Sequence, residues 1–346
     1  MKTEDIKLVN EHLADEISKD ILADIVMKKM TNDSYYLKKI VSSSQIGKAA
    51  FDKIKQSNKP LGVFGAGAIG KCICNLFYEQ VVCFIDNFKI GGVLENKPVI
   101  SLSEFENKYP DGIIVVATKY YKEINHQIVE CNICNEVIDL GEVYYEQLSQ
   151  SQYFDLPYLN DMISDNEVFV DGGAFDGQTT LNFFDLLDKQ GKNNGYSYVW
   201  EPDPANIIRI KEKLACVDEN RYEVVERGLW NRSCELFFKA DGTTGSRIED
   251  SDMDSGVSRV KVSTIDEICD KKVTFIKMDI EGAEREALEG SRNTITSLKP
   301  KLAICIYHKE DDFIEIPKMI LNMNSDYRLY LRHYSLTAGE TVLYAL

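Results

Sequence analysis

Residues 169–180, FVDGGAFDGQTT, decide the fold of this chain. An apolar run that ends in Asp171 predicts a buried β-strand, and Gly173 and Gly177 predict a tight turn that opens a helix. Glycines at such a turn let a ligand lie against bare backbone, which suits a cationic amino-acid group better than a diphosphate. The stretch therefore predicts the first strand of an α/β domain and one part of a ligand site.

Two later stretches place acidic residues at the ends of further predicted strands. Residues 198–204, YVWEPDP, put Glu201 after the second strand, where a carboxylate can accept two hydrogen bonds from a ribose diol. Residues 275–290, FIKMDIEGAEREALEG, put Asp279 after the fourth strand. Because parallel strands end at one edge of a sheet, we expect Asp171, Glu201 and Asp279 to converge around an adenosine ligand that carries no phosphate.

Residues 165–346 show the full pattern of a seven-stranded sheet. Five hydrophobic runs alternate with helical patterns, as in a parallel α/β sheet. RLYLRHYSL and ETVLYAL, joined at Thr337-Ala338-Gly339, then predict a terminal antiparallel β-hairpin. Glu281 and Glu284 follow Asp279, and they could equally serve the site or complement the dipole of the next helix.

A second glycine turn belongs to a smaller Rossmann-like domain predicted over residues 59–141. Gly65, Gly67 and Gly70 form a complete GxGxxG between a strand and a helix, and Asp86 ends the next strand, where it can accept a ribose hydroxyl. This pattern predicts a candidate nucleotide or nucleotide-sugar site, with a purely structural turn as an equal alternative.

The remaining segments are a helical appendage and a linker. Residues 1–58 carry apolar side chains three or four positions apart, which predicts amphipathic helices that pack on the next domain or form a homodimer. Residues 142–164 show no single period and are expected to link the two α/β domains.

Residues 165–346 resemble the FkbM-type family of S-adenosylmethionine-dependent methyltransferases, through the three stretches quoted above and KPKLAICIYH at 299–308. The resemblance implies that Asp171, Gly173 and Gly177 surround the methionine part of the cofactor, that Glu201 holds its ribose and that Asp279 faces the methyl group and the acceptor. The further cofactor residues that it implies are Gly172, Phe175 and Pro202. The family methylates oxygen on sugars and natural products. Residues 63–119, with VFGAGAIG and IIVVATK, resemble small Rossmann-like domains of bacterial sugar-modifying proteins.

Two histidines are candidates for the base that a sugar hydroxyl needs. His308 follows the fifth strand at the edge that carries Asp279, and His333 lies on the sixth strand. A divalent ion held by Asp279, Glu281 and His308 is a weaker alternative. Ser246 and Arg247 lie in a long polar stretch that could cover the site and contact the acceptor.

Composition limits the function classes. The 346 residues are 44% hydrophobic and 28% charged, as in a folded globular protein, and the length predicts two domains with an appendage. The formal net charge of −16 disfavours a broad nucleic-acid surface. An odd count of nine cysteines and the lack of a long apolar run predict a cytoplasmic protein without membrane insertion.

Two rival functions use the first glycine turn instead. The chain could be a nucleotide-sugar-binding regulatory module whose second domain is degenerate. It could also be an NAD(P)-dependent oxidoreductase, although nothing downstream of the turn supplies groups for hydride transfer.

Overall fold

The computed structural model describes residues 2–43, 45–148, 152–239, 247–249 and 257–346. The chain divides into two compact units. The first combines Met1–Ser18, Tyr153–Leu331 and Val342–Leu346, and the second combines Lys19–Gln152 and Arg332–Thr341.

The second unit is built on a six-stranded sheet. Its strands are β1 Leu61–Phe64, β2 Val81–Ile85, β3 Val93–Leu94, β4 Lys97–Ile100, β5 Ile113–Val116 and β6 Glu136–Asp139, in the order β3-β4-β2-β1-β5-β6. All pairs are parallel except β3 with β4. Every residue of β1 and β5 is buried, as expected for central strands with both faces covered. The helices around this sheet are Glu16–Thr31, Ser34–Val41, Gln45–Ser57, Ala68–Leu76, Leu102–Lys108, Tyr121–Glu130 and Leu140–Glu142, followed by a π-helix, Val143–Leu148.

The first unit contains the predicted seven-stranded sheet. Its strands are β7 Val168–Gly172, β8 Tyr196–Trp200, β9 Tyr222–Val225, β14 Phe275–Met278, β15 Lys301–Cys305, β16 Leu329–His333 and β17 Thr341–Ala345. They lie in the order β16-β17-β15-β14-β7-β8-β9, with β17 antiparallel to β15. Its helices are Thr3–His12, Pro157–Met162, Gln178–Lys189, Pro204–Lys213, Ile265–Ile268, Glu284–Glu289, Arg292–Leu298 and Asp312–Met323, with 3₁₀ turns Leu214–Cys216 and Glu219–Arg221. The α/β class and the seven-stranded sheet are confirmed.

The N-terminal helices do not form one appendage. Helix Thr3–His12 packs against Asp312–Met323, where Lys318 Nζ lies 3.2 Å from Asp5 Oδ1. Residues 19–58 instead group with the six-stranded sheet. The predicted homodimer through these helices stays a prediction.

In the part of the chain that the structure describes, no helix is both long and apolar enough to cross a membrane.

A small four-stranded sheet includes the described parts of the hairpin-like polar stretch that could cover the site. It has the order β10-β13-β11-β12, with β10 Gly228–Leu229, β11 Cys234–Lys239, β12 Arg247–Glu249 and β13 Val257–Ser263. Strands β11 and β13 pair antiparallel over six residues each, so much of this stretch is held by backbone hydrogen bonds.

Candidate functional site

The turns that follow β7, β8 and β14 meet at one edge of the seven-stranded sheet. The register places Asp171 opposite Lys277 and Gly172 opposite Trp200, so these strands end at the same level. The Asp279 amide donates to the Gly172 carbonyl at 3.1 Å. The strand-end motifs that the sequence places far apart are therefore neighbours in space.

Gly173 allows the turns after β7 and β14 to approach closely. Its φ is +77°, and a Cβ atom added there would lie 1.9 Å from the Asp279 carbonyl oxygen. A side chain would therefore separate the two turns. The other residues predicted to bind cofactor lie on the same turns: Gly172 ends β7, Phe175 and Gly177 precede the helix Gln178–Lys189, and Pro202 follows Glu201.

Glu201 lies under the glycine turn and is 5% exposed. Its Oε2 accepts a hydrogen bond from the Phe175 amide at 3.0 Å, and its Oε1 accepts one from the Asp203 amide at 2.9 Å. Burial raises the pKa of the Glu201 carboxyl to about 7, although these amide hydrogen bonds lower it. Oε1 also accepts from Asn206 Nδ2 at 3.5 Å, so Oε2 is the oxygen that keeps a further lone pair, with which the side chain can hold the turn and still accept a hydroxyl.

Asp171 is fully buried and supports the turn from within the sheet. Its Oδ1 lies 3.1 Å from Lys277 Nζ, and its Oδ2 accepts from Thr180 Oγ1 at 2.7 Å. Lys277 is 2% exposed and also donates to the carbonyls of Gly172 and Gly173. Burial alone would lower the pKa of Lys277, but the charges of Asp171 and Asp279 outweigh it and raise that pKa. In this arrangement Asp171 fixes the turn through Lys277, and a direct cofactor contact stays a prediction.

Asp279 presents a partly exposed carboxylate beside the glycine turn, with 24% of its side chain accessible. Tyr153 donates to Oδ2 at 2.8 Å, and Tyr307 donates to Oδ1 at 3.1 Å. Burial alone would raise the pKa of the Asp279 carboxyl, but the charges of Lys277 and His308 lower it. Asp279 is therefore ionised at neutral pH and oriented by two hydroxyl groups.

His308 lies beside Asp279 among three carboxylates. Its Nε2 is 3.5 Å from Asp279 Oδ1 and 3.6 Å from Glu281 Oε2, and its Nδ1 is 2.9 Å from Glu284 Oε1. Burial alone would lower the pKa of His308, but the Glu284 contact and the other two carboxylates raise it to about 9. The imidazole thus carries a proton at neutral pH, which disfavours the free-base role predicted from its position.

His333 is a structural residue of the terminal hairpin. It is 1% exposed, its Nδ1 lies 2.9 Å from Thr341 Oγ1 and its Nε2 lies 3.0 Å from the Thr337 carbonyl oxygen. Burial lowers the pKa of His333 to about 4, against backbone hydrogen bonds that raise it. Both ring nitrogens are used inside the hairpin, and the catalytic role expected for His333 stays a prediction.

His333 should make the fold sensitive to acid. Its pKa is lower in the folded state than in the unfolded chain, so its contribution to stability is complete above about pH 6.5 and is lost as the pH falls to about 4. We expect His333→Gln to remove about 3 kcal/mol of this pH dependence, measured as the free energy of unfolding in urea at both pH values. His126→Gln, at an exposed position, should keep the wild-type dependence. An equal pH dependence in wild type and His333→Gln would contradict this assignment.

The structure does not test whether Ser246 and Arg247 contact the acceptor. Ser246 lies outside the described residues, and Arg247 begins β12, where its backbone pairs with Lys239. Their proposed role in reading the acceptor stays a prediction.

The first glycine turn borders a cavity of about 650 Å³ in the six-stranded unit. Its lining includes Gly65, Gly67, Asp86, Phe88 and Tyr120. A Cβ atom at Gly67 would meet no atom within 4 Å, so this residue faces open space. Asp86 Oδ1 accepts from the Phe88 amide at 2.8 Å, and its Oδ2 accepts from the Ala66 amide at 3.2 Å.

Gly70 has a different role from the other glycines of this turn. A Cβ atom there would lie 1.9 Å from the Gly65 carbonyl oxygen, so Gly70 permits the helix Ala68–Leu76 to pack against the turn. The structure thus separates a packing glycine from one that borders the cavity.

Three residues of the main site have no place in the sequence-based prediction of its chemistry, and for a fourth, Glu284, the sequence leaves open a role in the site or one at the helix dipole. Lys277, a cation inside the apolar run FIKM, could have been found because a buried lysine needs a partner. Tyr153 comes from the expected linker, and no local pattern marks it. Tyr307 and Glu284 lie next to predicted site residues, but only the fold shows that they contact Asp279 and His308.

Comparisons with known proteins agree with this architecture. Residues 171–335 match the family model described as Methyltransferase FkbM domain, which confirms the expected resemblance, and residues 56–138 match a family model described as C2185-like, N-terminal. A crystal structure described as methyltransferase FkbM from Methylobacillus flagellatus KT shares the fold, with a TM-score of 0.53 and 20% identity over 96% of this chain and 99% of its own.

Two other comparisons add little. A Clostridium thermocellum structure whose description names an rRNA-methylase has 12% identity and a TM-score of 0.34, covering 54% of this chain and 91% of its own, which is too low to carry an argument. No curated protein matches the chain.

Proposed function

We propose, from the methyltransferase FkbM domain at residues 171–335, that this chain transfers a methyl group from S-adenosylmethionine to an oxygen of a saccharide or nucleotide-linked sugar. One observation carries the proposal: the buried Glu201 and the ionised, partly exposed Asp279 flank the same glycine turn. A carboxylate on each side of a bare-backbone turn suits a ligand with a ribose diol and a cationic centre.

The residues of the turn match the chemistry of this cofactor. Glu201 Oε2 has acceptor capacity left for a ribose hydroxyl, and Gly173 keeps the backbone free of a side chain next to Asp279. Phe175, held at φ +53°, is half-buried on the same turn. Lys277 stabilises the turn by donating hydrogen bonds to two of its carbonyl oxygens.

Asp279 is the proposed catalytic residue. When bound, the cofactor supplies a methyl group whose carbon–sulfur bond breaks, with its electron pair staying on sulfur, as the new carbon–oxygen bond forms. The Asp279 carboxylate accepts the proton of the acceptor hydroxyl, and Tyr153 and Tyr307 hold that carboxylate in position. His308 keeps its own proton at neutral pH and balances the charge of Asp279.

Cofactor binding tests the proposal through Glu201. We expect the wild-type chain to bind S-adenosylmethionine in calorimetry. Glu201→Gln should weaken this binding about 10-fold or more, because the NH₂ group of glutamine is a donor and would face the amide donors of Phe175 and Asp203. Glu226→Gln is the matched control, since Glu226 is exposed and paired with Lys211. Unchanged affinity in Glu201→Gln, or no binding by the wild type, would overturn the proposed cofactor site.

The six-stranded unit supports a second candidate function. Its cavity of about 650 Å³ beside Gly67 has room for a nucleotide or nucleotide-sugar, and Phe88 and Tyr120 offer exposed rings for a base. Titration with UDP-glucose and with NADH separates a nucleotide-sugar module from an oxidoreductase. Binding of NADH by a chain that does not bind S-adenosylmethionine would favour the oxidoreductase.

A cytoplasmic location and a homodimer belong to the proposal as further expectations.

A further inference from the structure

Four side chains meet where the loops after β14 and β15 come together: Asp279, Glu281, Glu284 and His308. We infer that Asp279 Oδ1, Glu281 Oε2 and His308 Nε2 form a site for a divalent cation, and that Glu284 orients the imidazole from behind. This inference goes beyond the proposed function and does not depend on it.

The imidazole is the first reason. His308 is buried, with 9% of its side chain exposed, and among the described residues its Nε2 has no partner with hydrogen-bond geometry. Its Nε2 nevertheless lies 3.5 Å from Asp279 Oδ1 and 3.6 Å from Glu281 Oε2. Two ligands that are each about 2.1 Å from one ion at a tetrahedral angle are about 3.4 Å apart. His308 Nε2 thus lies at a ligand-to-ligand spacing from each of the two carboxylate oxygens.

Glu284 supplies the support that a histidine ligand requires. It is fully buried, and its Oε1 lies 2.9 Å from His308 Nδ1 and accepts from the Ile280 amide at 2.9 Å. A carboxylate behind Nδ1 keeps the proton on that nitrogen, and a metal that binds at Nε2 displaces the second proton of the imidazolium. Histidine ligands in metalloproteins commonly have such a carboxylate partner.

The local charge and access are also suitable. Three carboxylates surround one imidazole, which leaves an excess of negative charge that a divalent cation would offset. Asp279 and Glu281 keep 24% and 29% of their side chains exposed, so an ion can reach the site. Two carboxylates with one imidazole suit cations that take mixed oxygen and nitrogen ligands, such as Mn²⁺ and Zn²⁺.

Metal titration of the full chain tests this site. After treatment with EDTA, the wild type should bind about one equivalent of Mn²⁺, measured by electron paramagnetic resonance, or of Zn²⁺, measured by calorimetry. Glu281→Gln and His308→Gln should each weaken binding about 10-fold to 100-fold. Glu289→Gln is the matched control, because Glu289 lies on the helix that begins at Glu284 but pairs with Arg292.

Several results would overturn the inference: no binding of either metal by the wild type, affinity unchanged in both variants, or an equal loss in the control. Circular dichroism establishes that each variant is folded, and Glu281→Gln keeps the test valid if the buried His308 proves essential for folding. S-adenosylmethionine is titrated into the same samples. Cofactor binding without metal binding would reject the cation site alone, and metal binding without cofactor binding would reject the proposed function alone.

Discussion

Replacing Asp171 by Asn is expected to destabilise the seven-stranded unit by about 3–5 kcal/mol. The substitution keeps the side-chain shape but leaves the Lys277 ammonium buried, at 2% exposure, without its anionic partner 3.1 Å away. For a unit of this size the loss corresponds to a fall in melting temperature of about 10 °C, measured by near-ultraviolet circular dichroism.

Removing both charges should cost less than removing one. In the double variant Asp171→Asn with Lys277→Met no uncompensated charge is buried, although the carbonyls of Gly172 and Gly173 lose their donor. Glu226→Gln breaks an exposed ion pair with Lys211 and should barely change the melting temperature. If Asp171→Asn melts at the wild-type temperature, the ion pair does not hold the turn.

Replacing Asp279 by Asn is expected to lower kcat by about 100-fold to 10,000-fold. The amide can still accept from Tyr153 or Tyr307 but cannot take the proton of an acceptor hydroxyl. The measurement is the rate of S-adenosylhomocysteine formation with an acceptor found by screening monosaccharides and nucleotide-sugars against the wild type. Calorimetry should show that the affinity for S-adenosylmethionine falls far less than kcat, because Glu201 and the glycine turn are unchanged and only the charge facing the cationic centre is lost.

A matched carboxylate separates this role from a general loss of charge. Asp326 is exposed and paired with Lys299, so Asp326→Asn should keep the wild-type rate. Asp279→Asn with wild-type turnover would exclude Asp279 as the proton acceptor. A parallel loss of cofactor binding and folding would instead assign it a structural role.

The parts of the fold that the sequence predicts are those in which apolar runs recur along the chain. Short apolar runs before Asp171, Glu201 and Asp279, separated by helical patterns, identify parallel strands, and the topology of such sheets brings their ends together. The four-stranded sheet was missed because β10 and β12 are only two and three residues long and carry little periodicity. The break between helices Thr3–His12 and Glu16–Thr31 was missed because the apolar spacing continues across it.

By itself, the sequence determined the α/β class, the seven-stranded sheet, the family resemblance and the sheet edge at which Asp171, Glu201 and Asp279 lie, because these follow from residue spacing along single segments. Only the tertiary structure decided how the side chains are used. Burial beside Lys277 makes Asp171 a supporting residue, three carboxylates keep His308 protonated, and two threonines hold His333 in a hairpin. The charge and partners of a side chain depend on groups that are distant in sequence, and only the folded chain brings those groups within contact.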